Sequence, residues 1–166
     1  MQRRSFIKYI ALYAGLTGHR TIMADSSSKT VCNITPLKYA DYEWKQLLSM
    51  AEYKILREED TERAFSSALN NEKRKGVFVC AGCSLELFHS HQKYDSGTGW
   101  PSFFESIPCS LETRLDFKLI YPRTEYHCAR CGGHQGHIFN DGPQPSGKRW
   151  CNNGLALKFI ADEKTG

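Results

Sequence analysis

The apolar positions of this chain change their period near residue 76. Upstream, Trp44, Leu47 and Leu48 recur at helical spacing, which predicts helix over residues 41–59 with Asp41 placed to cap the first turn. Ser49 and Glu52 form a Ser-x-x-Glu pattern, the reciprocal cap of a new helix, so a second start is expected over Ser49 to Glu58. The stretch TERAFSSALNNEKRKG is polar and rich in turn formers, which predicts a connection over the surface. Downstream, VFVCAGC, RLDFKLIYP, TEYHCARC, GHIFND and LALKFI are short β-rich runs separated by Gly, Pro, Asn and Asp. The expected fold is mainly β: a compact antiparallel domain of two packed sheets over residues 76–161, with short N-terminal helices against one side. No internal repeat appears beyond two cysteine pairs.

Charge changes the picture at the N-terminus. The net charge is +4, but residues 1–24 hold Arg3, Arg4, Lys8 and Arg20 and no acid. Without them basic and acidic residues balance at 18 each. The body therefore lacks the clustered positive charge of a nucleic-acid binder. No stretch reaches the roughly 20 apolar residues of a spanning helix.

Paired arginines followed by Ser5, Phe6, Ile7, Lys8 and a modest apolar run match a bacterial twin-arginine export signal, with cleavage expected after Ala24. The expected division is a signal peptide at 1–24, a flexible linker at 25–38 and one domain at 39–162. The expected location is periplasmic or otherwise exported; the alternative is a basic tail on a cytoplasmic protein.

Cysteine spacing carries the strongest chemistry. Cys80-Ala-Gly-Cys83 and Cys128-Ala-Arg-Cys131 are two equivalent knuckles, and together they supply the four-sulfur shell that Zn²⁺ prefers. Gly82 and Gly132 are expected to permit the knuckle turns. A redox Cys-x-x-Cys normally opens a helix, whereas both pairs follow β-type residues. One structural zinc is expected. Cys32, Cys109 and Cys151 stand outside the pairs.

GGHQGHIFNDGP and GKRWCNNG then bring two histidines, His134 and His137, near a lone thiol, Cys151. A thiolate is the reactive form of cysteine, and nearby cationic groups lower its pKa. If 149–153 is a strand, Arg149, Cys151 and Asn153 share a face.

Over residues 41–160 the chain resembles the peptide methionine-R-sulfoxide reductase family. The resemblance is carried by YKILREEDTERAFSSALN, FVCAGC, YDSGTGWPSFF, YHCARCGGHQGHIFNDGP and RWCNNGLALKF. It implies that Cys151 is the nucleophile and that Trp100 receives the substrate's ε-methyl group. His137 and His134 would position or protonate the sulfoxide oxygen, with Asn153, Arg149, Asp141 and Phe139 completing the site. It also implies oxidised proteins as substrates and a thioredoxin-like or other thiol as reductant; a monomer is expected for want of a coiled-coil or apolar pairing segment in the sequence. Many family members carry a resolving cysteine within SGTGWPSF, where this chain has Thr98. Cys32, Cys109 or an external thiol remain as candidates for that step. Two other readings predict differently: a zinc binding module needs no Cys151, and a thiol–disulfide oxidoreductase would cycle its Cys-x-x-Cys pairs without zinc.

Overall fold

A computed structural model describes residues 32–118 and 121–163. The expected export signal and residues 25–31 of the expected linker lie outside the described residues.

Two short helices open the domain, α1 (Asp41–Leu47) and α2 (Met50–Glu58). The chain breaks between them where Ser49 caps α2: its hydroxyl accepts from the Glu52 N–H while the Glu52 carboxylate accepts from the Ser49 N–H. Asp41 is not the cap of α1. The cap is Ala40, whose N–H donates to Glu43, while Asp41 begins the helix and pairs with Lys45.

Among the described residues nine strands follow, in two antiparallel sheets. β1 (Gly76–Cys80) lies between β2 (Glu86–His89) and β9 (Leu157–Ala161). The larger sheet runs in the order β3 (Lys93–Tyr94), β4 (Ser102–Phe103), β8 (Arg149–Asn152), β7 (His134–Phe139), β6 (Arg123–Cys128) and β5 (Leu111–Asp116). Aromatic rings lock the sheets face to face: Phe88 of β2 stacks on Phe103 of β4 at 4.0 Å, and Phe78 of β1 meets the edge of Phe103 at 5.0 Å. Phe78 and Phe88 are fully buried. α2 packs Leu56 against the turn after the second knuckle, beside Gly133.

Within the run RLDFKLIYP, β5 ends at Asp116, whose carboxylate accepts from the Lys118 N–H and turns the chain. Leu115, Phe117 and Tyr121 of this run are exposed. Cys32 and Cys109 form a disulfide. Close by, Leu37 packs against the core and donates its N–H to the Arg130 carbonyl at 2.6 Å.

Candidate active site

The two knuckles converge as their spacing requires. Cys80, Cys83, Cys128 and Cys131 form a group able to hold a metal ion. Cys80 Sγ lies 3.7 Å from Cys131 Sγ, and Cys83 Sγ lies 3.4 Å from Cys128 Sγ. A tetrahedron with metal–sulfur bonds of about 2.3 Å has edges of about 3.8 Å, so the thiols fit a zinc shell. The knuckles match bond for bond: Ser84 N–H donates to Cys80 O and Gly132 N–H to Cys128 O, both at 2.8 Å. The left-handed residue of each is therefore the fourth after the first cysteine, Ser84 (φ 59°) and Gly132 (φ 67°). Gly132 plays the expected part, whereas Gly82 has no left-handed backbone.

A second centre lies on the larger sheet. Register places Cys151, His137, Glu125 and Arg114 directly opposite one another across β8, β7, β6 and β5. Cys151 and His137 line one cavity with Trp100, Phe139, Thr61, Arg123, Gly136, Asn152 and Asn153. Gly136 is obligatory here, since a Cβ would stand 1.9 Å from the Cys151 carbonyl oxygen. Trp100 is oriented by its indole N–H, which donates to the Glu62 carbonyl at 3.1 Å.

His137 Nε2 is 2.8 Å from Asp116 Oδ2. His134 sits behind it, 1% exposed, with ring centroids 5.6 Å apart. Burial lowers its pKa to about 4, so His134 is neutral at physiological pH. Its Nδ1 and His127 Nε2 approach the same Glu125 oxygen, at 2.5 and 3.1 Å, while Arg114 Nε takes the other oxygen. Burial pushes the Cys151 thiol above its ordinary value; the Arg149 charge and hydrogen bonds from Thr98 and Arg149 act the other way without prevailing. The expected lowering by a nearby cation is thus present but outweighed.

A family model described as the SelR domain matches residues 48–161. The chain belongs to the SelR domain family. It is 45% identical over 132 residues to the peptide methionine sulfoxide reductase MsrB of Methanosarcina mazei, covering 78% of this chain and 94% of that protein. The MsrB of Leptospira interrogans is 46% identical over 121 residues, 72% of this chain and 92% of that one. The chloroplastic peptide methionine sulfoxide reductase B1 of Arabidopsis thaliana is 48% identical over 127 residues, 76% of this chain but 63% of its own length.

In this SelR domain the expected site residues divide by place. Cys151, His137, Trp100, Phe139 and Asn153 share the cavity. Arg149 stands beside it, stacked at 4.3 Å on Phe139 and held by two 2.8 Å bonds to Asp141. Asn153 spends its amide on the backbone, accepting from Glu62 N–H and donating to the Gln135 carbonyl.

Cys32 and Cys109, candidates for the resolving step, bond to each other. Cys109 also precedes β5 at its Cys128 end, whereas Cys151 lies three strands away in the Arg114 row. At about 4.8 Å per strand, that lateral offset alone is about 14 Å. Sequence reasoning missed Thr61, Arg123 and Asn152 in the cavity and Glu62 and Asp116 behind it. The TERAFSS segment is no simple surface connection: Glu62 is buried, and its carboxylate accepts the Gly154 and Leu155 N–H groups. The readable signals were an acid inside a turn-rich segment and an acid and a base, Asp116 and Arg123, closing one hairpin.

Proposed function

We propose that this chain reduces the R-epimer of methionine sulfoxide in oxidised proteins to methionine, as a repair enzyme. The carrying observation is one cavity that gathers Cys151, His137 and Trp100 in a SelR-domain chain. A sulfoxide sulfur is a poor electrophile until its oxygen is protonated or firmly hydrogen-bonded, and imidazole supplies that proton near neutral pH. His137, rather than the buried neutral His134, fits the proton donor. With the substrate methyl against Trp100, only one sulfur configuration turns its oxygen toward His137.

In the reaction the Cys151 thiol gives its proton to a base or solvent as sulfur attacks. The oxygen passes from methionine sulfur to Cys151 sulfur, and two electrons pass the other way. Methionine leaves and Cys151 is a sulfenic acid. An external thiol condenses with it, releasing water, and a second thiol returns Cys151 to the reduced state as a disulfide of the donor departs. The Cys32–Cys109 pairing and the place of Cys109 favour this external route, from a thioredoxin-like or other small thiol donor.

Cys80, Cys83, Cys128 and Cys131 would hold one zinc ion, which braces the fold. The twin-arginine pattern at Arg3 and Arg4 fits export to an oxidising compartment, where disulfides such as Cys32–Cys109 persist.

The test incubates separate R- and S-epimers of a blocked methionine sulfoxide with dithiothreitol and wild-type or Cys151→Ser protein. Turnover of the R-epimer alone, lost in the variant, is the expected result. Folded, zinc-loaded protein that reduced neither epimer would leave a binding module as the reading.

A further inference from the structure

Asp116, the last residue of β5, is 6% exposed and has no part in the chemistry above. Its carboxylate is ringed by donors. Lys118 N–H reaches Oδ1 at 2.8 Å, Arg123 Nη2 reaches Oδ2 at 2.6 Å, and His137 Nε2 reaches the same Oδ2 at 2.8 Å. The Lys118 amide first, and the His137 and Arg123 bonds besides, hold its carboxyl well below the usual range. It is therefore an anion throughout the working pH range.

We propose that Asp116 is the positioning residue for His137: it accepts the Nε2 hydrogen bond, leaves Nδ1 to face the sulfoxide oxygen, and supplies the countercharge for an imidazolium. This rests on His137 as the proton donor. An imidazole that rotates freely offers either nitrogen in either tautomer; a carboxylate on one nitrogen fixes both the ring and the proton. Arg123 completes the device. It stands directly opposite Asp116 across β5–β6, so the ladder holds the pair in place, and it lines the cavity while its Nε is buried without a partner. The guanidinium thus fixes the carboxylate that fixes the imidazole.

The contrast with His134 sharpens the assignment. Among the described residues, the titratable and charged groups that the neighbouring strands set around His137 are Asp116 from β5, Arg123 and Glu125 from β6, His134 from β7 and Cys151 from β8. Among the described residues Asp116 is the one hydrogen-bonded to the His137 ring, whereas Glu125 turns its oxygens to His134, His127 and Arg114.

The test has two parts. Nitrogen-15 NMR of the wild-type protein should show His137 in the Nε2–H form when neutral; an Nδ1–H form would overturn the proposal without any variant. For Asp116→Asn, kcat with the R-epimer should fall about a hundredfold, the scale of general acid catalysis, while KM stays within about threefold. The alkaline limb of its pH–rate profile should move to lower pH, because the imidazolium has lost its anion, and Asp116→Glu should restore part of the rate. His137→Gln, run alongside, separates the two claims. If His137→Gln retains full activity, the proton-donor reading fails; if it is inactive while Asp116→Asn matches wild type in rate and profile, the positioning role alone fails.

Discussion

At its turn the β6–β7 hairpin presents Cys128 and Cys131 to two other thiols; toward its open end it presents His137 to a single thiol, Cys151. The same hairpin therefore serves two centres. At the turn each sulfur has sulfur neighbours within a tetrahedral edge, and Gln135 adds an N–H to Cys80. Four donors pointing at one place leave a cation no open coordination position. At the other end the donors are few and unlike, and they border an open cavity. What a cysteine does here follows from what its surroundings leave unsatisfied.

The turn is the end of the hairpin on which the fold depends most. Cys128→Ser removes one of four ligands, and structural zinc sites contribute on the order of 10 kcal/mol, comparable to the whole stability of a domain. The variant should lose its metal and its cooperative melting transition, checked by metal analysis and circular dichroism. Retention of a sharp transition near the wild-type temperature would show that the knuckles hold the fold without the ion.

Cys151→Ser should do the reverse. Melting temperature and metal content stay as in the wild type while turnover falls by about 10⁴-fold or more, the scale of a lost nucleophile. A comparable fall in metal content would mean that the two ends of the hairpin are one site.

A smaller effect lies between the centres, at His134. Its folded pKa is lowered to about 4 from an ordinary value of about 6.5. Below about pH 6.5 the unfolded chain takes a proton that the folded chain refuses. The stabilisation is therefore complete above that pH and is lost as pH falls toward 4, with a ceiling of about 3 kcal/mol. Denaturant titrations at several pH values should show that slope, and His134→Gln should flatten it. An unchanged slope in the variant would assign the acid sensitivity elsewhere.

Much of this is legible in the sequence. Two Cys-x-x-Cys pairs announce their own convergence because a turn of that length admits few geometries, and Ser49 with Glu52 marks the start of α2 in the same local way. What stayed hidden depends on pairing register. His134 and His137 are three apart, a spacing that puts strand residues on opposite faces. A bulge lies between them: Tyr126 pairs with Gly136 and His127 with His134, leaving Gln135 unpaired and turned inward. The bulge brings both rings to one side. Asp116 and Arg123 likewise meet only because they form the last pair of the β5–β6 ladder. Glu62 was the hardest to foresee, since nothing in TERAFSS says which acid is buried.

Glu62 also gives the smallest and most discriminating prediction, because it joins the cavity wall to the end of β8. Its carboxylate accepts from Gly154 and Leu155, its carbonyl from the Trp100 indole, and its N–H donates to Asn153. Gly154 can have no side chain, since a Cβ would stand 1.9 Å from Ser67 Oγ. In Glu62→Gln one amide oxygen replaces two carboxylate oxygens, and the amide NH₂ is left facing backbone donors. The loss of a charge-assisted bond should cost about 1–2 kcal/mol in a urea titration, with the metal retained. The backbone bonds to Trp100 and Asn153 survive but lose their anchor, so KM for the R-epimer should rise several-fold while kcat changes less. The opposite split, kcat falling at constant KM, would place Glu62 with His137 and Asp116 in handling the proton rather than with Trp100 in seating the methyl group.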